Sequence, residues 1–223
     1  MIITLDIETI PSSNPQIKAD FLTNVRPPAT HKKPETIDAW MAENAESEAD
    51  QQWRKTSFDG AHGHICVLGY AFDDEPAEQY STEHPSHEAE ILKCFFGTID
   101  LHCKLNPNVR PIFVGHNVID FDLRFIYQRA IVLGVKPSIN IPFHAKAWDE
   151  HVFDTMHRWD AKNRTSLDKL SRALGLEGKG DIDGSMVADY VAAGRIAEVA
   201  AYCLDDVNLT RQVYKRMTFH EKL

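Results

Sequence analysis

Asp6 and Glu8 stand two residues apart in the opening segment MIITLDIET. In an extended strand, side chains at i and i+2 project from the same face, so both carboxylates point one way. Two acids on one face of an apolar strand are costly unless something neutralises them. A divalent cation does that well, and magnesium and manganese prefer carboxylate oxygens. The alternative is an exposed strand end carrying two ordinary surface acids. A second group of acids closes the segment GHNVIDFD, residues 115–122, where a strand runs into a polar turn and then a helix. Asp120 stands where an N-cap belongs. Asp122 lies one turn before Phe125 and Ile126, on a face that must turn inward, so it needs a partner and is the favoured candidate. A third group is Tyr202-Cys203-Leu204-Asp205-Asp206. Tyr202 and Asp206 are four apart and share a helix face. Val199, Cys203, Asp206, Thr210, Val213 and Met217 recur at steps of four and three, and Asp206 is the lone acid in that stripe. Asp205 is rotated by about 100° and faces solvent.

These side chains need a strand, a helix start and a long final helix to hold them. Residues 1–8 alternate in the strand manner, with Ile3, Leu5 and Ile7 opposite Ile2, Thr4, Asp6 and Glu8. Residues 12–60 are polar, and within them 35–55 are expected to be helical with Ile37, Trp40 and Met41 on one face. This region reads as a helical insertion packed beside the core after the first strand. HICVLGYAF, residues 64–72, is a buried strand, and a short strand follows near Gln79-Tyr80. Helices are expected over 86–105, 120–133, 165–174, 183–193 and 195–217, with short strands at 111–115 and 152–154. Thr165 or Ser166 and Gly175 cap the 165–174 helix. Asp154 ends its strand as a support or helix-start residue. Strands followed by strands interleaved with helices indicate one α/β domain over 1–223, a mixed sheet flanked by helices.

The composition bounds the function. Thirty-three acids against 24 bases give a formal charge of −9, which argues against broad gripping of duplexes. A single-stranded end taken into a metal-loaded cleft remains compatible, because the metals supply positive charge. The stretch from Arg158 to Arg172 offers one place where a phosphate backbone could rest, against the alternative of a solvated helix face; Lys32-Lys33 is a weaker second. The 4 cysteines form no CxxC pair and read as buried reduced thiols. His62 and His64 lack the partners that would complete a metal site. No apolar run reaches the ~20 residues that span a bilayer, and the N-terminus lacks the features of a signal peptide, so a cytoplasmic location is expected.

On these residues the chain resembles the DEDD superfamily of 3′–5′ exonucleases, in the subtype with tyrosine in the third motif. Asp6-Ile7-Glu8-Thr9 is similar to the first motif, D-x-E. Asn117-x-x-x-Phe121-Asp122 resembles the second as written in family B DNA polymerases, and Tyr202-x-x-x-Asp206 the third. The resemblance selects Asp122 over Asp120 and Asp206 over Asp205. PPAT at 27–30, KGDIDGSMV at 179–187 and YCLDDVNLTRQVY at 202–214 resemble stand-alone proteins similar to the polymerase proofreading domain. The resemblance implies a ribonuclease-H-like fold and a two-metal mechanism with Mg2+ or Mn2+. Asp6 would bridge both ions, Glu8 and Asp206 would complete the site of the attacking water, Asp122 would support the second ion, and Tyr202 would orient the water. Thr9, Ile10, Asn117 and Phe121 adjoin the motifs and could hold the terminal nucleotide. The expected substrate is a single-stranded 3′ end, DNA before RNA, with nucleoside 5′-monophosphates as products. A ribonuclease-H-like endonuclease and a catalytically silent nucleic-acid or protein interaction module are the rival readings.

Overall fold

The computed structural model describes residues 1–178, 180 and 182–220, so residues 179 and 181 of the KGDIDGSMV stretch lie outside the described residues. A five-stranded sheet in the order β3-β2-β1-β4-β5 forms the centre. Its strands are β1 (Ile2–Ile10), β2 (His64–Phe72), β3 (Glu78–Ser81), β4 (Ile112–Gly115) and β5 (Val152–Asp154). β1 pairs antiparallel with β2 and parallel with β4, and β4 pairs parallel with β5. The helices are α1 (Pro15–Asn24), α2 (Pro34–Lys55), α3 (Glu88–Leu105), α4 (Asp122–Val132), α5 (Thr155–Trp159), α6 (Leu167–Ala173), α7 (Val187–Ala192) and α8 (Ile196–Met217). This is the mixed α/β sheet flanked by helices that the sequence indicates.

The central position of β1 follows from its alternation. Ile3, Leu5 and Ile7 join Leu92, Phe95 and Ile99 of α3 and Phe125 and Ile126 of α4 in one apolar core. The opposite face of the sheet is covered by α8, whose Val199, Ala200 and Cys203 pack with Cys66, Val67 and the α7 residue Val187. A strand buried on both faces carries few polar side chains cheaply, so acids on the α8 side mark a place where apolar packing was given up. α8 sits close because Gly69 has no side chain: a Cβ there would meet the Cys203 sulfur at 2.8 Å and Val207 Cγ2 at 3.1 Å. The β1–β2 ladder also holds a bulge. Glu8 pairs with Val67 and Thr9 with Ile65, leaving Cys66 as the extra residue, with its thiol donating to the Glu8 carbonyl at 3.3 Å. A bulge bends the strand and re-aims its side chains.

The region after β1 holds two helices rather than the single one expected. Residues 15–24 form α1, started by Pro15 at the first turn and by Asn14, whose side chain accepts from the Gln16 amide. α1 packs on α2 through Lys18, which pairs with Asp50 at 2.6 Å and lies 4.4 Å from the Trp53 ring centre. Trp53 Nε1 donates to the Ser12 carbonyl at 2.9 Å, and Arg54 pairs with Asp189 of α7 at 2.8 Å. Ser166 rather than Thr165 caps α6, accepting from the Lys169 amide, and Gly175 takes φ +70 beyond its end. The expected helix over 183–193 shortens to Val187–Ala192. The cysteines are all free; Cys66 and Cys203 are buried, whereas Cys94 is exposed and Cys103 half-buried, a correction to the reading of four buried thiols. Cys94 stands on the outer face of α3, away from the buried Ile91, Leu92, Phe95 and Phe96. Among the described residues no helix is long and apolar enough to cross a membrane.

Candidate active site

The end of β1 beyond its pairing with β4 is where the acids meet. The parallel ladder reaches only Thr4 with Val114, so the Ile7 amide lies past it. The carboxylate of Asp122 takes that amide, accepting at 3.0 Å between the two acids of the first motif. Asp122 reaches back because the chain turns sharply after β4: a Cβ on Gly115 would meet Val118 Cβ at 2.5 Å and the Leu5 carbonyl at 3.2 Å. Asn117 takes φ +65, a left-handed conformation that asparagine tolerates better than most residues. The turn is held from below by Asp154, which is 1% exposed. Its carboxylate accepts from the amides of Asn117 and Ile119 at 3.0 Å and of Met156 and His157 at 3.0 and 3.2 Å. Asp154 therefore fixes the second motif and starts α5 at once. Asp120 is not the cap of α4: that helix begins at Asp122 after Phe121, with no side-chain cap. Asp120 instead accepts from His157 at 3.0 Å and Arg164 at 3.2 Å.

Asp6, Glu8 and Cys203 offer ligand atoms that all lie within 4.8 Å of one another. The Cys203 thiol contacts both the carbonyl and the carboxylate of Asp6 at 3.5 Å. On α8, Tyr202 and Asp206 are both buried, while Asp205 is exposed. Their electrostatics place them with the strand acids. Burial pushes the Tyr202 phenol up, and the charges of Asp206, Glu8 and Asp6 and a hydrogen bond to Asp206 push it further. Asp122 is pushed up to about 7, first by burial; the amides of Asp122 and Ile7 oppose the rise, and the charges of Asp154 and Asp206 add to it. Burial, then the charges of Asp6 and Glu8, also raise the Cys203 thiol far above its ordinary value. A neutral thiol is a poor ligand. What remains is a set of oxygen donors, crowded and mutually repelling, which suits a hard divalent cation.

The four residues expected to hold the terminal nucleotide divide. Phe121 is half-buried, with its ring centre 5.6 Å from that of Phe125. Asn117 carries a buried side-chain oxygen with no hydrogen-bond partner. The Thr9 hydroxyl is already committed, donating to the Ser57 carbonyl at 2.7 Å. Ile10 packs against the α8-side core. The basic stretch is partly neutralised, since Arg164 pairs with Asp120 and Arg172 with Asp168. Lys32 and Lys33 are exposed. His64 is bound to Glu88 at 3.1 Å, so the HxH pair is not brought together as ligands. Phe58, which the residue pattern does not single out, stands beside Phe121 with ring centres 6.2 Å apart. It is one of several aromatics in the polar segment 12–60, beside Phe21, Trp40 and Trp53, and nothing local sets it apart.

The family described as "Predicted 3'-5' exonuclease related to the exonuclease domain of PolB" matches residues 65–222. The chain belongs to this family. The matched part of this PolB-related exonuclease family contains Asp122, Tyr202 and Asp206, while β1 with Asp6 and Glu8 lies before it. Among solved structures, the chain is similar to the family B DNA polymerase from the hyperthermophilic archaeon Pyrobaculum calidifontis, with a TM-score of 0.59 and 15% identity. That likeness covers 98% of this chain and 24% of the polymerase, and it shows the ribonuclease-H-like fold, β1 included. The chain thus spans about a quarter of the polymerase it matches. No curated protein matches it.

Proposed function

We propose that residues 1–223 form one metal-dependent 3′–5′ exonuclease domain that releases nucleoside 5′-monophosphates from single-stranded ends, DNA in preference to RNA. One observation carries the reading: Asp122 binds the Ile7 amide between Asp6 and Glu8, and Cys203, three residues before Asp206 on α8, touches the Asp6 carboxylate. Acids far apart in sequence therefore converge on one end of β1. The family membership and the polymerase-like fold support the same reading, including the preference for DNA. A cytoplasmic location is part of the proposal.

Asp6, Glu8, Asp122 and Asp206 would hold two divalent cations, Mg2+ or Mn2+, with Glu8 and Asp206 serving the attacking water. Such a pair stabilises the attacking and leaving oxygens of an in-line displacement. The chain's own residues do the rest. The carboxylates fix the positions of charge, which phosphoryl transfer needs more than covalent chemistry. Tyr202, with its phenol kept protonated by burial and by the neighbouring acids, holds the attacking water through its hydroxyl. Asp154 keeps the second motif from shifting under the load of substrate.

The test is digestion of labelled strands. Purified protein is incubated with 3′- and 5′-labelled DNA and RNA in manganese, magnesium or chelator. The proposal expects labelled mononucleotide from the 3′ label, a shortening ladder from the 5′ label and no reaction in chelator. Internal oligonucleotide fragments would instead indicate an endonuclease. No degradation of any substrate with either metal would indicate a silent module.

A further inference from the structure

Phe58 is 61% exposed, although it is a large apolar side chain in a rigid setting. It ends the 3-10 turn Thr56–Phe58, which follows α2. Four hydrogen bonds fix that turn. Thr56 donates to the Trp53 carbonyl at 2.6 Å and accepts from the Ser12 amide at 2.9 Å. The Ser57 carbonyl accepts from Thr9, the residue after Glu8. The Phe58 carbonyl accepts from Arg124 of α4 at 3.5 Å. The turn therefore bridges the end of β1 to the start of α4, the two elements that carry Asp6, Glu8 and Asp122. Phe58 meets Phe121 at 6.2 Å with the rings tilted by 59°, so no base fits between them and the outer face of Phe58 stays open.

Arg124 adds charge to that face. Its guanidinium donates to the Asp120 carbonyl, the Gln128 side chain and the Phe58 carbonyl, all of them neutral acceptors. Among the described residues no carboxylate lies within ion-pair range of it; Asp120 turns its carboxylate to His157 and Arg164. An open aromatic face beside an unneutralised guanidinium suits a nucleotide, base on ring and phosphate on cation. In a chain of net charge −9, an uncompensated cation beside an exposed aromatic ring matters more than it would in a basic protein.

We propose that Phe58 and Arg124 form a second nucleotide contact, holding a base and a phosphate of the single strand whose end occupies the carboxylate site. The turn after α2 thus gives the insertion a part in substrate binding. This contact rests on the exonuclease reading above.

The test measures binding by fluorescence anisotropy, with short 5′-fluorescein-labelled thymidylate and an abasic strand of the same length. Calcium replaces magnesium to hold the strand uncut, and digestion in manganese is run alongside. Phe58→Ala should weaken thymidylate binding by about tenfold or more, the scale of one base–aromatic stack. Phe58→Trp should restore it, and Phe58→Leu, apolar but without a ring, should not. The abasic strand should bind wild type and Phe58→Ala alike. Arg124→Gln should lower the slope of log affinity against log salt by about 0.7, one single-strand phosphate. Wild-type melting midpoints in these variants show that the fold is intact. If wild type digests strands normally and Phe58→Ala binds thymidylate as tightly, the contact is refuted and the exonuclease reading stands. If wild type neither binds nor digests any strand, the exonuclease reading fails and the contact falls with it.

Discussion

A carboxyl group held at about 7 in the folded chain, as Asp122 is by burial first and then by Asp154 and Asp206, keeps a proton that the unfolded chain has already released. Between the unfolded value of about 3.9 and that folded value, the native state binds more protons, so its stability falls as pH rises. Asp122→Asn removes this cost. In chelator above about pH 7 the variant should melt higher than wild type, by a free energy on the order of a few kcal/mol, and the margin should close towards pH 4. Thermal melts across that range check the sign; a margin that grows on acidification would contradict it. The same substitution, like Asp6→Asn, Glu8→Gln and Asp206→Asn, should cut strand digestion by at least about 10²-fold. Tyr202→Phe is expected to separate two roles. Turnover should slow by up to about 10²-fold through a misplaced nucleophile, while manganese affinity, read by calorimetry, stays near wild type. Loss of manganese binding in that variant would make the tyrosine a metal-site residue instead.

The helix α8 owes its position to a glycine on the strand beneath it. Gly69→Ala would place a methyl 2.8 Å from the Cys203 sulfur and 3.1 Å from Val207, so the helix must lift or the thiol must turn. Overpacking of this kind costs about 1–3 kcal/mol, measurable by urea unfolding. Because Cys203 adjoins Asp6, digestion should fall by more than the stability loss explains. Equal activity at lowered stability would mean that α8 is not the element that sets the geometry. At this scale the sequence was legible where one periodicity governed a whole element. The inward stripe of α8 separates buried Asp206 from exposed Asp205, and the alternation of β1 places Ile3, Leu5 and Ile7 in one core. It was less legible where a local signal was short or a distant partner decided. α1 is marked by little more than Asn14-Pro15, and none of its residues is buried. Asp120 has the position and chemistry of a cap, but His157 and Arg164 claim its carboxylate from the far side of β5. Phe58 acquires its neighbours only when the insertion folds back against Thr9 and Arg124.

A buried ion pair ties the parts of the molecule together. Glu88, fully buried at the start of α3, accepts from the Ile65 amide at 2.9 Å and from Arg129 of α4 at 2.8 and 2.6 Å. Arg129 in turn donates to the Gly60 carbonyl at the end of the insertion, and His64 links Glu88 to Ser13. Burial alone would raise the Glu88 carboxyl, but the hydrogen bonds from His64, Arg129 and Ile65 outweigh it and hold it below its ordinary range. A lowered carboxyl contributes stability above the unfolded value of about 4.3 and loses it as pH falls through the lower, folded value. Glu88→Gln should cost about 3–5 kcal/mol near neutrality, because Arg129 is left buried and unpaired. Its stability should also vary less than wild type's below about pH 4.3. Urea unfolding at several pH values reads both effects, and an unchanged acid limb would remove Glu88 from the account.

The contact between the Cys203 thiol and Asp6 spans 197 positions. A nascent chain emerging from the ribosome therefore carries its first two acids long before the helix bearing the last one exists. On the proposed reading, copies that stop before α8 would carry Asp6 and Glu8 without Tyr202 and Asp206, and so would lack part of the carboxylate site.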